Sequence, residues 1–235
     1  MAKMNLCIDV GNTSTKAALF KNNKEVRYFK PFTAKDLKEI IADENPNILA
    51  SFSGENLEIK LELKSHQILT HKTLLPICLN YETPNTLGRD RIATAVGACA
   101  MDKKSTWAII DLGTCLTFDL LNKADFEGGL IAPGVQIRLK AMNEFTAGLP
   151  LVKYDYSVKF PGKSTEESLQ VGVCQSVMLE IKGYINLLNQ QFKNVKIVDC
   201  SGLKLNFDKE VKNEIFARPK LVLEGLNYIL NYNAK

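Results

Sequence analysis

An acidic glycine turn occurs twice in this chain of 235 residues, each time where an apolar stretch ends. Residues 5–8 (Asn-Leu-Cys-Ile) lead into the first turn, residues 9–16, which begins Asp-Val-Gly-Asn-Thr. Residues 106–110 lead into the second turn, residues 111–114, Asp-Leu-Gly-Thr, which starts 102 residues after the first. A strand, a tight turn and a further strand are predicted at both places. This repetition predicts two domains of similar topology, which we place at residues 1–104 and 105–235.

Strand and helix patterns alternate along the rest of the chain. Further strands are predicted at residues 14–20, 25–29, 48–52 and 195–200, and helices at 34–43, 91–102, 134–146, 165–190 and 219–232. Turns are expected at Asn22-Asn23, Gly128-Gly129 and Pro133-Gly134. Such alternation is typical of the α/β class.

Composition and charge argue against several classes of protein. Apolar residues make up 46% of the chain, too many for a disordered one. The 30 Lys and Arg residues exceed the 26 Asp and Glu residues by only four, and no basic run is longer than two, which argues against nucleic-acid binding. No apolar run approaches the roughly 18 residues of a membrane span, and Asp9 comes too early for a signal peptide. We therefore expect a cytoplasmic protein without a membrane partner.

The cysteines predict neither a zinc site nor disulfides. Six are present, without any Cys-x-x-Cys pair, and the chain has only two histidines, His66 and His71. A structural zinc site usually needs closely spaced ligand pairs. Apolar neighbours surround Cys7, Cys78 and Cys99, so we expect reduced, buried thiols.

The residues of the first turn suit phosphate binding. Its glycine permits a positive φ and a close approach of the backbone to a ligand. Backbone N–H groups and the hydroxyls of Thr13, Ser14 and Thr15 can donate to phosphate oxygens, and Lys16 adds positive charge. Asp9 would hold a divalent cation, directly or through water, because Mg²⁺ prefers few carboxylates together with phosphates and waters. A plain β-hairpin would explain one such turn, but a two-domain ATP clamp needs one in each half.

This pairing of turns resembles the superfamily of acetate and sugar kinases, Hsp70 and actin. The resemblance implies two similar actin-like (ribonuclease H-like) domains with a nucleotide cleft between them. One turn from each domain would then grip the phosphates. Fold alone does not select a substrate.

Residues 81–91 (Tyr-Glu-Thr-Pro-Asn-Thr-Leu-Gly-Arg-Asp-Arg) are the most informative about the substrate. Arg89 and Arg91 flank Asp90 immediately before a predicted helix. Arginine binds carboxylate or phosphate through two parallel hydrogen bonds. An aspartate in this position also caps helices. The preceding Gly88 and the two arginines favour a site for a small anionic substrate.

Taken together, the motifs resemble type III pantothenate kinase over essentially the whole chain. They comprise residues 9–13, Gly-x-Asp-Arg at 88–91, residues 111–114, Gly-Gly-x-Ile-x-Pro-Gly at 128–134, a shifted Leu-Pro-x-Val at 149–152, and Ser-Thr-x-x-Ser with a later glycine at 164–172. The resemblance implies phosphorylation of the primary hydroxyl of pantothenate by ATP, the first step of coenzyme A biosynthesis. It also implies Mg²⁺, a monovalent cation (K⁺ or NH₄⁺) and a homodimer.

The resemblance further implies individual roles. Asp90 matches the general base, and Asp111 matches the ligand of the monovalent cation. The matches to ATP contacts are Asp9, Val10, Gly11, Asn12, Thr13, Ser14, Thr15, Lys16 and Thr114. The matches to substrate contacts are Tyr81, Gly88, Arg89, Asp90, Arg91 and, from near the subunit interface of a dimer, Thr165. Ser164 with Glu167 predicts a capping box, which leaves Thr165 free to face a ligand.

Three departures and two alternatives accompany this interpretation. Arg89 stands where the family has a small residue, Leu112 where it has alanine, and residues 200–202 (Cys-Ser-Gly) replace a late Gly-Gly near the adenosine. One alternative is a kinase for another small hydroxy acid or sugar. The other is a non-catalytic accessory transcriptional regulator of the same fold. The Gly-x-Asp-Arg motif argues against the former, and the intact Asp90 and turns against the latter.

Overall fold

The first turn closes a hairpin at one end of a four-stranded sheet in the computed structural model, which describes residues 4–201 and 215–234. Strands β1 (Met4–Val10), β2 (Thr15–Lys21), β3 (Lys24–Phe29) and β4 (Asn47–Phe52) lie in the order β3-β2-β1-β4. β1 is antiparallel to β2 and parallel to β4. Asp9 is thereby placed opposite Lys16 across the hairpin and beside Ser51 of β4.

The second sheet repeats this arrangement. Its strands are β5 (Cys78–Leu79), β6 (Thr106–Leu112), β7 (Cys115–Asn122), β8 (Asp125–Pro133), β9 (Lys196–Asp199) and β10 (Ile215–Ala217), in the order β10-β9-β6-β7-β8-β5. β6 is antiparallel to β7 and parallel to β9, as β1 is to β2 and β4. The repeated topology expected from the two turns is therefore confirmed, and the second turn closes the β6–β7 hairpin.

Seven α-helices connect the strands of the described residues. They are α1 (Ala34–Glu44), α2 (Leu57–Leu61), α3 (Arg89–Met101), α4 (Val135–Glu144), α5 (Thr165–Gln170), α6 (Ser176–Gln191) and α7 (Leu221–Asn233). A π-helical turn, Val171–Gln175, joins α5 to α6, so the helix predicted over 165–190 is continuous but not uniform. α3 begins two residues earlier than expected, which places Asp90 within its first turn.

Helices α3 and α7 form a layer between the two sheets. One apolar cluster joins Cys7 and Leu49 of the first sheet to Trp107 and Ile109 of the second through residues of both helices. The other faces of the sheets carry their own clusters, under α1 on one side and under α4 and α6 on the other. The core thus alternates helix and sheet, as the α/β class requires.

The boundary expected after residue 104 stays a prediction. The two sheets fall largely on its two sides. However, β5 precedes it and pairs with β8, whereas α7 follows it and packs on β1. Asn5 of β1 donates to Asn227 of α7 over 2.8 Å, and both side chains are buried. These contacts join the two halves of the chain.

Two expectations are wrong. Gly128 and Gly129 lie inside β8 rather than in a turn, and the hairpin turn falls at Lys123, whose φ is 59°. Cys78 is exposed, because it lies on the short edge strand β5, although all six cysteines are free as expected. Trp107, at the start of β6 in an apolar stretch, is buried in the core. Within residues 4–201 and 215–234, no helix combines the length and apolar character needed to cross a bilayer.

Candidate active site

The two turns meet in the structure. The hydroxyl oxygens of Thr13 and Thr114 lie 2.8 Å apart, within hydrogen-bond distance. Each turn follows an inner strand of its sheet, β1 or β6, and packing of the two sheets on α3 and α7 brings these strand ends together. The place where the two acidic turns approach each other is therefore the candidate position for the expected nucleotide cleft.

Backbone hydrogen bonds shape the first turn. The Gly11 N–H donates to the Ser14 carbonyl over 3.2 Å. The Val10 side chain belongs to the core, and its carbonyl accepts the N–H groups of Ser53 and Gly54. Asn12 and Thr13 are exposed at the tip. Thr15 is buried and accepts a hydrogen bond from Asn56 over 3.4 Å, so its hydroxyl faces the protein.

The glycines that permit a close approach of the backbone lie beside the two turns rather than within them. Neither Gly11 nor Gly113 has φ in the left-handed region, contrary to our expectation. A Cβ on Gly54 would collide with the carbonyl of Gly11, and a Cβ on Gly134 with the carbonyls of Gly113 and Thr114. The constraint therefore lies in the neighbouring segments that support each turn.

Asp9 carries an unsatisfied carboxylate at the base of the first turn. It is 7% exposed, and its Oδ1 has no hydrogen-bond partner among the described residues. The Ser51 hydroxyl, beside it on β4, is buried and unpartnered as well. Burial raises the pKa of Asp9 to about 7, and while Lys16 opposes this rise, Asp90 and Asp111 add to it. A bound cation or water would satisfy this oxygen.

The second turn is supported by a helix N-terminus. The Gly134 N–H donates to the Thr114 carbonyl over 3.0 Å, and α4 begins at the next residue. No side chain caps α4, and its first turn contains no acidic residue. A helix N-terminus with free N–H groups favours anions. Burial raises the pKa of Asp111 to about 6, with Lys16 opposing and Asp90 and Asp199 adding to the rise.

Asp90 lies within the electrostatic range of both turns. Its charge contributes to the raised pKa of Asp9 and of Asp111. It sits in the first turn of α3 behind Gly88, where a Cβ would approach Asp90 Oδ1 to 2.6 Å. Asp90 Oδ1 accepts the Arg91 N–H over 2.9 Å. The charges of Asp90 and Lys16 therefore act on the carboxyl groups of both turns.

The two arginines already have partners within the protein. The Arg89 guanidinium donates to the Pro84 carbonyl over 3.2 Å and to the Asn85 carbonyl over 2.8 Å, closing its own loop. Arg91 is 5% exposed and forms a bidentate ion pair with Asp119 of β7. Its guanidinium carbon lies 6.0 Å from the centre of the Tyr81 ring. Arg89 thus closes the loop before α3, whereas Arg91 joins α3 to β7, and their expected contacts with a substrate stay a prediction.

Asp119 was missed by sequence reasoning. The sequence feature that could have revealed it is a single charged residue within the apolar stretch 116–121, which forms the middle of β7. Gly129 pairs with it on β8, and a Cβ there would collide with Asp119 Oδ1. Gly128 has a φ of +98°, which side chains rarely adopt, and a Cβ there would reach only ordinary contact with the Tyr81 ring, at 3.7 Å. Gly129 thus makes room for Asp119, whereas Gly128 provides an unusual backbone conformation.

A second missed carboxylate, Asp199, ends β9 beside β6. It is buried, accepts the N–H and hydroxyl of Ser201 over 2.9 and 2.5 Å, and its charge acts on Asp111. Residues 200–202 depart from the family at this point. Gly202 lies outside the described residues.

Thr165 and the predicted cap lie at the start of α5. Ser164 caps the helix by accepting the Glu167 N–H over 3.1 Å, as predicted. The Glu167 carboxylate accepts the Lys163 N–H instead of closing the box on Ser164. Thr165 is exposed, and no hydrogen bond joins it to either turn within the described part of the chain.

The side chains of the site suit a divalent cation whose ligands are mostly phosphate oxygens and water molecules. Among residues 4–201 and 215–234, no group of three or more His, Cys, Asp and Glu side chains is arranged to hold a metal. One buried, unpartnered carboxylate oxygen on Asp9 is what a phosphate-bound Mg²⁺ requires of a protein. The site therefore fits Mg²⁺ as part of a nucleotide complex.

Comparisons with known proteins agree with this geometry. The family model for type III pantothenate kinase matches residues 46–187. A type III pantothenate kinase of Cytophaga hutchinsonii is 39% identical over 98% of this chain and all of its own length. Among solved structures, a putative Baf family transcriptional activator from Campylobacter jejuni has a TM-score of 0.60 at 21% identity, covering 97% of this chain and 98% of its own.

A putative 2-dehydro-3-deoxygalactonokinase from Sinorhizobium meliloti has a TM-score of 0.62 at 11% identity, covering 97% and 99% of the two chains. These two structural likenesses show the fold alone. They confirm the predicted fold class, which this chain shares with sugar kinases. Family model, full-length relative and repeated acidic turns together show that the chain belongs to the type III pantothenate kinase family.

Proposed function

We propose that this chain transfers the γ-phosphoryl group of ATP to the primary hydroxyl of pantothenate, producing ADP and 4′-phosphopantothenate in the first step of coenzyme A biosynthesis. The observation that supports the proposal is the contact of Thr13 with Thr114, which brings one acidic turn from each repeat together. Membership of the family supports the choice of acceptor.

The two turns would hold the phosphates by complementary means. Phosphoryl transfer has a loose transition state, so catalysis depends on positioning and neutralisation of charge. Lys16 and the exposed tip of the first turn supply a cation and donors. The uncapped start of α4 supports the second turn with the positive end of its dipole. Val10, Gly11 and Asn12 would contribute through the backbone.

Two cations complete the proposed site. Mg²⁺ held through Asp9 would neutralise charge on the phosphates, and a K⁺ or NH₄⁺ ion at Asp111 would add to that neutralisation. Burial raises the pKa of both carboxyl groups despite the opposing charge of Lys16, so a bound cation would favour their ionised forms. Removing either cation should therefore weaken nucleotide binding.

Asp90 is the proposed general base. It lies in the first turn of α3, within range of both turns, and accepts a hydrogen bond from its neighbour's N–H. Because a loose transition state develops little charge on the attacking oxygen, Asp90 orients the hydroxyl and accepts its proton late. Tyr81, Gly88, Arg89 and Arg91 surround it as the proposed acceptor pocket.

The acceptor site would be completed in a homodimer. Phe145, Leu151 and Phe160 are exposed by 80%, 59% and 79% in the segment between α4 and α5. Apolar side chains clustered on a surface mark contact sites. Thr165 follows this segment, which is consistent with a substrate contact near a subunit interface. Sedimentation analysis would show a dimer if this is correct. A cytoplasmic location likewise stays part of the proposal.

ADP formation on addition of pantothenate tests the function directly. We expect MgATP turnover that requires pantothenate, increases with K⁺, and yields 4′-phosphopantothenate by mass spectrometry. Sugars and acetate serve as control acceptors. Turnover with one of those instead would indicate the alternative kinase, and nucleotide binding without turnover would indicate the regulator whose fold is shared.

The matched variant is Asp90→Asn, which preserves shape but removes the base. It should lower kcat by about 10²–10⁴ while leaving ATP affinity near that of the parent. Near-normal turnover in this variant would reduce Asp90 to a helix cap.

A further inference from the structure

We infer that Asp119 is a positioning residue that acts through Arg91 to hold Asp90 in place. This inference rests on the proposed function, because it concerns the same reaction. It starts from a buried carboxylate on β7 that neither the sequence motifs nor the proposed mechanism uses. Asp119 is 1% exposed, and its contact with Arg91 joins α3 to the second sheet.

Arg91 is held at both ends. Its Nε donates to Asp119 Oδ1 over 3.0 Å and to Oδ2 over 3.1 Å, and Nη2 donates to Oδ1 as well. Its backbone N–H donates to Asp90 Oδ1 over 2.9 Å. One residue therefore connects the fixed carboxylate of the sheet to the carboxylate of the proposed base.

The surroundings of the ion pair leave little freedom for movement. β7 is an inner strand, paired with β6 and β8, and Gly129 of β8 faces Asp119. The Arg91 guanidinium carbon lies 6.0 Å from the Tyr81 ring centre and 5.8 Å from that of Phe126. Removing one member of a buried pair leaves an uncompensated charge that must find another arrangement. Movement of Arg91 would displace the first turn of α3, which carries Asp90.

A purely structural role for the pair predicts different behaviour. In that case Asp119 attaches α3 to the sheet, and its loss lowers stability without changing turnover per folded molecule. The other end of α3 provides a matched control. There Asp102 accepts from Lys196 over 3.0 Å and caps the helix, at the terminus of α3 opposite to Asp90.

The experiment compares Asp119→Asn, Asp119→Leu and Asp102→Asn in the full chain, with kcat and KM for each substrate and a melting curve for each variant. We expect kcat to fall about tenfold for Asp119→Asn, which keeps one acceptor, and about 10²-fold for Asp119→Leu, since small displacements of reacting groups have losses of this size. The KM for ATP should change less than threefold, because the ATP site and Asp119 are expected to act almost independently. Asp102→Asn should melt lower with kcat unchanged.

A double variant separates positioning from stability. If Asp119 acts through Asp90, adding Asp119→Asn to Asp90→Asn should cause no further loss of kcat, because residues that act as a unit are not additive. The full tenfold loss in both backgrounds, or an unchanged kcat in Asp119→Asn, would overturn the inference. Absence of pantothenate phosphorylation in the parent chain would instead reject the proposed function. Asp119→Asn is nearly isosteric, so this comparison remains available if Asp119→Leu does not fold.

Discussion

The first and second turns share one motif but hold their charges differently. In the first, a pair of opposite charges predominates: Asp9, whose Oδ1 is buried and has no partner among the described residues, lies opposite Lys16 across the hairpin. In the second, backbone groups predominate: Gly134 packs on the turn and α4 starts beside it without a cap. A repeated motif therefore does not imply a repeated role. We expect both turns to hold phosphate, the first together with Mg²⁺ through the Asp9 carboxylate and the second with the help of the α4 dipole.

Charge removal is the strongest way to test this difference. We expect Asp9→Asn to lower kcat/KM for ATP by about 10²–10³, the range measured for loss of one preorganised electrostatic contact. Asp111→Asn should cost about tenfold and reduce the response to K⁺, because its cation adds to neutralisation already supplied elsewhere. Steady-state kinetics at varied Mg²⁺ and K⁺ measure both effects. A greater loss in Asp111→Asn would reverse our assignment of the turns.

Backbone support can be tested at a matched pair of glycines. A Cβ on Gly54 would press on the first turn and a Cβ on Gly134 on the second. We expect each alanine variant to lose about 1–3 kcal/mol of stability, as overpacked sites do. Gly134→Ala should also raise KM for ATP, because the second turn depends on backbone geometry. Gly183→Ala in α6, where nothing lies within 4 Å, is the control and should not destabilise. Equal KM values for ATP in Gly54→Ala and Gly134→Ala would contradict a greater dependence of the second turn on backbone geometry.

The pH dependence of stability distinguishes the two carboxylates. In the folded chain the pKa of Asp9 is raised to about 7, above its ordinary value. The protonated carboxyl therefore favours the folded state at low pH, and this contribution to the free energy of unfolding is lost as the pH rises to about 7. Asp111 should show the same loss, ending near pH 6. Asp9→Asn should therefore gain stability relative to the parent between pH 4 and 7, with a melting temperature about 2–4 °C higher for each kcal/mol gained.

Thermal unfolding across that pH range measures this gain. If the difference in melting temperature between Asp9→Asn and the parent chain stays constant from pH 4 to 7, the buried carboxyl does not titrate as described.

The contact between the turns should give the smallest effect. Thr13→Val and Thr114→Val each remove one hydroxyl from a pair that lies 2.8 Å apart at an exposed site. A double-mutant cycle should give a coupling energy of about 0.5–1.5 kcal/mol, the value of an ordinary hydrogen bond. Denaturant unfolding of the four chains measures it. Strict additivity would show that the turns do not interact through these hydroxyls.

Local patterns predicted the repeated fold because each strand and turn is specified by neighbouring residues. The two turns, the cap at Ser164 and the buried Trp107 follow from such signals. The partners of Arg89 and Arg91 could not be predicted, because they depend on how a loop folds back and on strand register. Asp119 is brought to Arg91 only by the pairing of β7 with its neighbours.

The glycines at 128 and 129 show the same limit. A glycine pair is typical of a turn, but here Gly129 makes room for Asp119 across the sheet and Gly128 has a positive φ within β8. The exposed Cys78 likewise follows from its position at a sheet edge, which its apolar neighbours do not reveal.

Whether both turns bind the phosphates can be seen in a crystal structure with Mg²⁺ and a non-hydrolysable ATP analogue. We expect phosphate oxygens within about 3.2 Å of backbone N–H groups in both turns, with the cation on the Asp9 side. Phosphates held by one turn alone, or a nucleotide bound outside the cleft where Thr13 meets Thr114, would contradict this expectation.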